Sequence, residues 1–228
     1  FRAQWRDWIA HNYQSALRNP LERLTGEAAK QWLRAQYRDG WRAPGLPREH
    51  GGMGLSLRKQ LIYQEELDRH GVARPMDMGL RLLAPVLIRY GTPAQLESYL
   101  HRILSCEDVW CQGYSEPNAG SDLANVKTKA RLDGGDWVVN GQKVWTSGAH
   151  NADYGILLAR TGWDQPKAKG LTMFILDMKA PGVDVRLIRQ ATDEPHFNEV
   201  FLTDVRIADS ARLGPEGQGW KVMLSTLM

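Results

Sequence analysis

The chain reads as an α+β protein with segregated elements: an N-terminal all-α helical region, then an antiparallel β-barrel region, then the start of further helices. Two observations predict this class. Up to about residue 106 the apolar positions recur at helical spacing, and beyond about Val109 they alternate with polar ones. At 228 residues and 43% hydrophobic content, the chain also has enough apolar material for a core. The expected domains are residues 1–108, 109–212 and 213–228, the last being a linker and a first helix.

Helices are expected at about 2–17, 25–39 and 56–70, the last capped by Ser56 after the turn-rich stretch Pro44 to Gly54. From Met78, the positions Leu82, Leu83, Val86, Leu87 and Tyr90 form one buried face, which Gly91 can stop in the left-handed conformation. Pro85 should kink or interrupt that helix, because it lacks an N–H and crowds the carbonyl four residues back. Thr92, Pro93 and Gln95 then supply the N-cap, first residue and capping box of a new helix. Leu96, Tyr99, Leu100 and Ile103 lie along one side of it.

In the second half, Val126, Thr128, Ala130 and Leu132 alternate with Lys127, Lys129, Arg131 and Asp133, as on a half-buried strand. Asp133-Gly134 and Asn140-Gly141 are tight-turn signals that bracket Trp137-Val138-Val139 before another run from Lys143. Further strands are expected at 154–160, 171–177, 183–190 and 197–207, a spacing that suggests a sandwich or barrel. Gly214 to Gly219 then releases the chain into a helical pattern from Trp220 to Met228.

Composition removes several functional classes. The net charge is +3 with interleaved signs, so nucleic acid is not implied. The longest apolar run, Leu82 to Ile88, falls far short of the ~20 residues of a membrane-spanning helix. Cys106 and Cys111 lack metal or disulfide spacing, which fits a reducing compartment and suggests no metal site. The chain opens on Phe1 and stops at Met228 inside a helical pattern, so the expectation is a piece of a longer polypeptide.

Two stretches carry the chemistry. In Trp110 to Asp122, glycines and hydroxyls leave a strand where backbone N–H groups can converge on an oxyanion, although Gly, Asn, Ser and Pro also crowd ordinary loops. In Asn140 to Gly148, an indole is followed by two hydroxyls, a group able to offer a flat apolar face and hydrogen-bond partners to a conjugated ring. A buried core tryptophan is the competing reading.

Together these stretches resemble the acyl-CoA dehydrogenase family. Its flavin signature, aromatic-x-x-Thr/Ser-Glu-Pro-x-Ala-Gly-Ser-Asp, reads here Gln112-Gly113-Tyr114-Ser115-Glu116-Pro117-Asn118-Ala119-Gly120-Ser121-Asp122. Its next block, Asn-Gly-x-Lys-x-Trp-x-Thr/Ser, reads Asn140-Gly141-Gln142-Lys143-Val144-Trp145-Thr146-Ser147. The resemblance extends to Pro47–Leu55, the Gly91-Thr92-Pro93 junction, and Asp204–Ile207 with Leu213-Gly214.

The resemblance implies a helical domain, a β-barrel domain and a C-terminal four-helix domain, and FAD as cofactor. It implies flavin contacts from Gln112, Gly113, Tyr114 and Ser115. Gly120 and Ser121 would face the pyrophosphate or the acyl-CoA, Trp145 would pack on the flavin ring, and Thr146 and Ser147 would lie near its reactive side. The implied reaction is α,β-dehydrogenation of an acyl-CoA to a trans-2-enoyl-CoA, with an electron-transfer flavoprotein or similar acceptor. The implied assembly is a homo- or hetero-oligomer, dimer or tetramer, and the implied compartment is the bacterial cytoplasm or, in a eukaryote, the mitochondrial matrix.

The family's base is a Glu of the C-terminal domain, so no catalytic residue is expected within these residues and the fragment alone is expected to be inactive. Glu116 more plausibly orders its loop than takes a proton. His150 and His196 read as structural or solvated histidines, and Lys127, Lys129 and Arg131 as a solvated strand face rather than a site for CoA phosphates. Gln112, Asn118 and Thr146 depart from the commonest pattern. With Phe197-Asn198-Glu199-Val200 they look more like bacterial members that handle bulky or branched acyl groups, including sterol side chains. Two alternatives stay open: a non-catalytic partner subunit of a heteromeric enzyme, and a flavin oxidase or monooxygenase on the same fold.

Overall fold

The computed structural model describes residues 1–20, 24–191 and 196–226. Its helices are α1 (Arg2–Asn12), α2 (Gly26–Arg38), α3 (Leu57–Arg69), α4 (Ala84–Tyr90), α5 (Pro93–Leu104) and α6 (Gly219–Thr226). Its strands are β1 (Trp110–Gly113), β2 (Lys129–Asp133), β3 (Asp136–Lys143), β4 (Tyr154–Arg160), β5 (Leu171–Asp177), β6 (Val183–Ile188), β7 (Phe197–Ala208) and β8 (Arg212–Leu213). The fold is α+β, as the change of period predicts. Leu227 and Met228, expected to end the last helix, lie outside the described residues.

The chain forms two compact units that do not follow chain order. One comprises Phe1–Asp77 with Leu100–Glu107, the other Met78–Tyr99 with Asp108–Met228. Met78–Tyr99 cluster with the strands rather than with the preceding helices.

Stacked aromatic rings organise the first unit. Trp5 is fully buried, its ring centroid 4.3 Å from that of Tyr63 and 4.7 Å from that of Trp41, and its indole N–H donates to the Tyr63 carbonyl at 2.9 Å. The Tyr63 hydroxyl in turn donates to the Trp41 carbonyl. Glu66, also fully buried, accepts from Arg2 at 2.7 Å and from Arg6 at 2.8 Å, which fastens α1 to α3. α1 stops at Asn12, short of the expected residue 17. Tyr13 turns extended, and its hydroxyl donates to the Leu17 carbonyl and accepts from the Ala73 N–H. Ser56 holds the N-cap position of α3, but its hydroxyl makes no capping bond.

Pro85 makes its helix irregular without ending it: Gly79–Leu83 winds as a π-helical turn that runs directly into α4 at Ala84, so the wider turn falls just before the residue that lacks an N–H. Gly91 does not take the left-handed stop: it is extended, at φ −71°. Its glycine is required by space, because a Cβ there would sit 2.6 Å from the Leu87 carbonyl oxygen. The capping box forms as read, with the Thr92 N–H on the Gln95 side chain at 3.0 Å and the Gln95 N–H on the Thr92 hydroxyl at 3.2 Å. The Gln95 amide also donates to the carbonyls of Ser210 and Arg212, joining α5 to β8.

The eight strands form one sheet in the order β6-β7-β3-β2-β4-β5-β8, with β1 parallel to β4. It is mostly antiparallel, but it does not close into the expected barrel. β6 and β8 end the path, and β2 meets β4 through a single parallel pair, Lys129 with Arg160, so the two halves hardly join. The core side carries Ala130, Trp137, Val139, Leu157, Phe174, Val200, Leu202 and Val205, all buried. Leu132, expected inside, is 54% exposed at the end of β2. The Asp133-Gly134 turn joins β2 to β3. Asn140-Gly141 makes no turn; β3 runs through it with a register shift against β7, and a Cβ on Gly141 would meet the Thr128 Cα at 2.7 Å.

The hydrogen bonds from Arg6 and then Arg2, opposed by burial, hold the Glu66 carboxyl well below its usual 4.5, at about 2. A lowered acid contributes stability that is complete above its ordinary pKa and fades as pH falls from 4.5 towards 2. In urea unfolding followed by tryptophan fluorescence, the wild type should lose more stability across that interval than Glu66→Gln; equal losses would contradict this role.

Candidate functional site

The two motif stretches meet at a pair of buried charges. Glu116 starts a four-residue turn in which its N–H donates to the Ala119 carbonyl at 3.1 Å and the Ala119 N–H returns a bond at 3.0 Å. Pro117 suits the second position of such a turn. The turn aims the Glu116 carboxylate inward. There it accepts from the Lys127 N–H at 2.6 Å, the Thr128 N–H at 2.8 Å, the Thr128 hydroxyl at 2.6 Å and Lys143 Nζ at 2.9 Å. Lys143 Nζ also donates to the Tyr114 carbonyl at 3.0 Å.

Burial alone would raise the Glu116 carboxyl, but the Lys143 charge and these donors outweigh it and hold the pKa below its ordinary value. Lys143 is fully buried, and burial pulls its ammonium down to about 8 against the pull of Glu116. The carboxylate is therefore ionised and committed to four donors. It orders the loop, as the sequence implied, and has no oxygen free for a substrate proton.

This pair sets the end of β3 beside the end of β1. The Val144 N–H donates to the Ser115 carbonyl at 2.9 Å, so the segments after the two strands run together. Between them lies a small recess lined by Gln112, Tyr114, Ser115, Val144, Trp145 and Ser147. Five of the nine flavin-contact residues implied by the sequence are thus brought to one place. Val144 joins them unpredicted.

The other four lie elsewhere. Gly113 points inward along β1 and Thr146 is buried; both line the interior with Cys111, Lys143 and Leu157. Among the described residues Thr146 Oγ1 has no hydrogen-bond partner. Gly120 and Ser121 lie exposed after the Glu116 turn. Arg160 anchors the loop that follows, its guanidinium donating to the carbonyls of Val126, Lys167 and Ala124.

Trp145 is no core tryptophan: it is 58% exposed, and its backbone sits at φ +59°. The Phe197 ring meets it edge-on, with centroids 5.8 Å apart. Asn198 lies fully buried behind the turn, and its amide donates to the Thr146 carbonyl at 2.8 Å. His150 Nδ1 lies 3.1 Å from Asn198 Oδ1, which accounts for His150 as a structural group. Among the described residues, the N–H groups of Ser115, Trp145 and Ser147 donate to no protein acceptor. An exposed indole beside free N–H groups, serine hydroxyls and a Gln112 amide fits a flat heteroaromatic ring with polar edges. Among the described residues no group of His, Cys, Asp and Glu is arranged to hold a metal ion, and no helix is long and apolar enough to cross a membrane.

Residues 1–107 match the family model of the acyl-CoA dehydrogenase N-terminal domain, and residues 111–205 that of the acyl-CoA dehydrogenase middle domain. The chain belongs to the acyl-CoA dehydrogenase family. Members of this family are oxidoreductases. Acyl-CoA dehydrogenase IpdE1 of Mycobacterium tuberculosis is 42% identical over 236 residues, covering 100% of this chain and 61% of the relative. Among solved structures, the Tcur3481-Tcur3483 steroid ACAD superposes with a TM-score of 0.87 at 33% identity, over 99% of this chain and 59% of that one. The ChsE4-ChsE5 complex from Mycobacterium tuberculosis gives 0.86 at 35% identity, over 99% and 58%. The chain thus spans less than two thirds of the length of each of these three proteins.

The unpartnered Thr146 hydroxyl gives a local test. An unsatisfied buried hydroxyl costs about 1–3 kcal/mol, so Thr146→Val should raise stability in urea unfolding by about 1 kcal/mol. A loss of stability would show that the hydroxyl has a partner.

Proposed function

We propose that the protein carrying this chain is an FAD-dependent acyl-CoA dehydrogenase that introduces an α,β double bond into an acyl-CoA thioester with a bulky, steroid-type acyl group. The observation that carries this reading is the recess, where residues of both flavin-signature stretches converge under the exposed indole of Trp145. When bound, FAD supplies the two-electron acceptor that such a desaturation needs.

The chain's own residues bind and orient. Trp145 offers its ring face, the N–H and hydroxyl groups of Ser115 and Ser147 offer donors, and the Gln112 amide offers both donor and acceptor. The backbone of Tyr114 and Gly113 carries these groups, with Lys143 fixing the Tyr114 carbonyl. Gly120 and Ser121, exposed on the next turn, are available to phosphate oxygens or the acyl-CoA.

Among the described residues the recess has no carboxylate in its lining and both Glu116 oxygens accept hydrogen bonds, so the base that takes the α-proton is assigned to the family's C-terminal helical domain. The steroid-type substrate is supported by the similarity to a structure described as a steroid ACAD. Two of the similar structures are named as protein pairs, which supports an oligomer, with a second subunit type as its other member. An electron-transfer flavoprotein or similar protein would be the electron acceptor, and the proposed setting is the cytoplasm.

Purified full-length protein should be yellow and show a flavin absorbance band. Trp145→Ala should weaken FAD binding roughly tenfold, about 1.4 kcal/mol. Colourless protein that takes up no added FAD would instead favour the non-catalytic partner subunit. On CoA thioesters, kcat/KM should favour a bulky or branched acyl group over butyryl-CoA by at least about tenfold, since each missing methylene forfeits roughly 1–3 kcal/mol. A preference for short linear chains would overturn the substrate assignment.

A further inference from the structure

We infer that Asn198 is a positioning residue, whose buried side chain, oriented by His150, holds Trp145 in the left-handed backbone conformation that turns its indole out to the recess. The inference rests on the flavin reading above for its consequence, but its geometry stands alone.

A bulky residue at φ +59° is uncommon and costs on the order of 1–3 kcal/mol, so it persists only where the surroundings over-determine it. Here the restraints come from both sides. Before Trp145, the Val144 N–H is tied to the Ser115 carbonyl at 2.9 Å. After it, the Thr146 N–H donates to the Asn198 carbonyl at 3.0 Å, and the Asn198 side-chain amide donates to the Thr146 carbonyl at 2.8 Å. One residue thus grips both backbone polar groups of Thr146. Gly148, itself left-handed at φ +68°, is held by the His196 carbonyl at 2.9 Å.

Chemistry fixes the orientation of the Asn198 amide. A backbone carbonyl only accepts, so the group facing the Thr146 oxygen is the NH₂, and Oδ1 faces His150. His150 Nδ1, 3.1 Å away, must then carry the hydrogen. His150 thereby disfavours the flipped amide, which would set two donors face to face. Phe197, the neighbour of Asn198 on β7, packs at right angles to the indole and limits its swing. β7 supplies both the grip on the turn and one wall for the ring.

Asn198→Asp keeps the size but cannot donate to the Thr146 carbonyl when ionised, and His150→Ala removes only the orienting group, which is itself exposed. The fluorine NMR signal of Trp145 in full-length protein labelled with 5-fluorotryptophan, assigned through Trp145→Phe, reports the turn with or without FAD. A single sharp line is expected for the wild type, and a shifted or broadened one for Asn198→Asp. FAD affinity should fall at least about tenfold in Asn198→Asp and about threefold in His150→Ala, the latter without loss of melting temperature. An unmoved Trp145 signal, or FAD affinity within twofold of the wild type in both variants, would overturn the inference. Should Asn198→Asp fail to fold, His150→Ala decides the matter by the same two readouts. A wild type that binds no FAD would instead fell the functional reading, while the fluorine signal still judges the grip.

Discussion

The site depends on a buried ion pair between residues 27 positions apart, Glu116 and Lys143. The pair brings together the loop after β1, the start of β2 and the end of β3. Its four donors and two acceptors are met only if all three segments are in register. A buried pair is weak evidence for net stability, because desolvation offsets much of the attraction, but leaving either charge alone is expensive. The constraint therefore acts chiefly on geometry: it selects the one arrangement in which Val144 reaches the Ser115 carbonyl and the recess exists.

Strain follows from that constraint. With Lys143 pinned inside and Thr146 also buried, Trp145 lies between two anchored neighbours and reaches the surface through a left-handed backbone. Ordinary strand geometry would put successive side chains on opposite faces and end there. Among the described residues the departure from it leaves the N–H groups of Ser115, Trp145 and Ser147 without protein acceptors beside the exposed indole. Such unmet hydrogen-bonding capacity beside an exposed aromatic ring is what a heteroaromatic cofactor completes.

The fold was legible where local rules act alone. β4 and β5 were read to the residue because every side chain but those at their ends is buried, and the capping box at Thr92 and Gln95 is a purely local device. The sequence misled where a distant partner decides. Asn140-Gly141 has the residues of a turn, yet it is a bulge, because the Asn140 side chain bonds Asp204 across the sheet. A closed barrel was expected from strand spacing, which says nothing of the single pair that joins β2 to β4. In the site, the two stretches were identifiable but not their inward and outward members. Thr146 and Gly113 were read as facing the cofactor, but Gly113 takes an inward position of β1, and Thr146, beyond the end of β3, is turned inside by the left-handed backbone at Trp145. The contribution of Asn198 was invisible, since its partner lies 52 residues away.

A double-mutant cycle on Glu116→Gln and Lys143→Met, read by urea unfolding, tests most directly whether this pair holds the two stretches together. Each single change should cost about 3–5 kcal/mol, because it strands a buried charge. The double variant should lose clearly less than the sum, with a coupling of about 2 kcal/mol or more. Losses that add to within about 0.5 kcal/mol would contradict the account, because the two residues would then be acting independently.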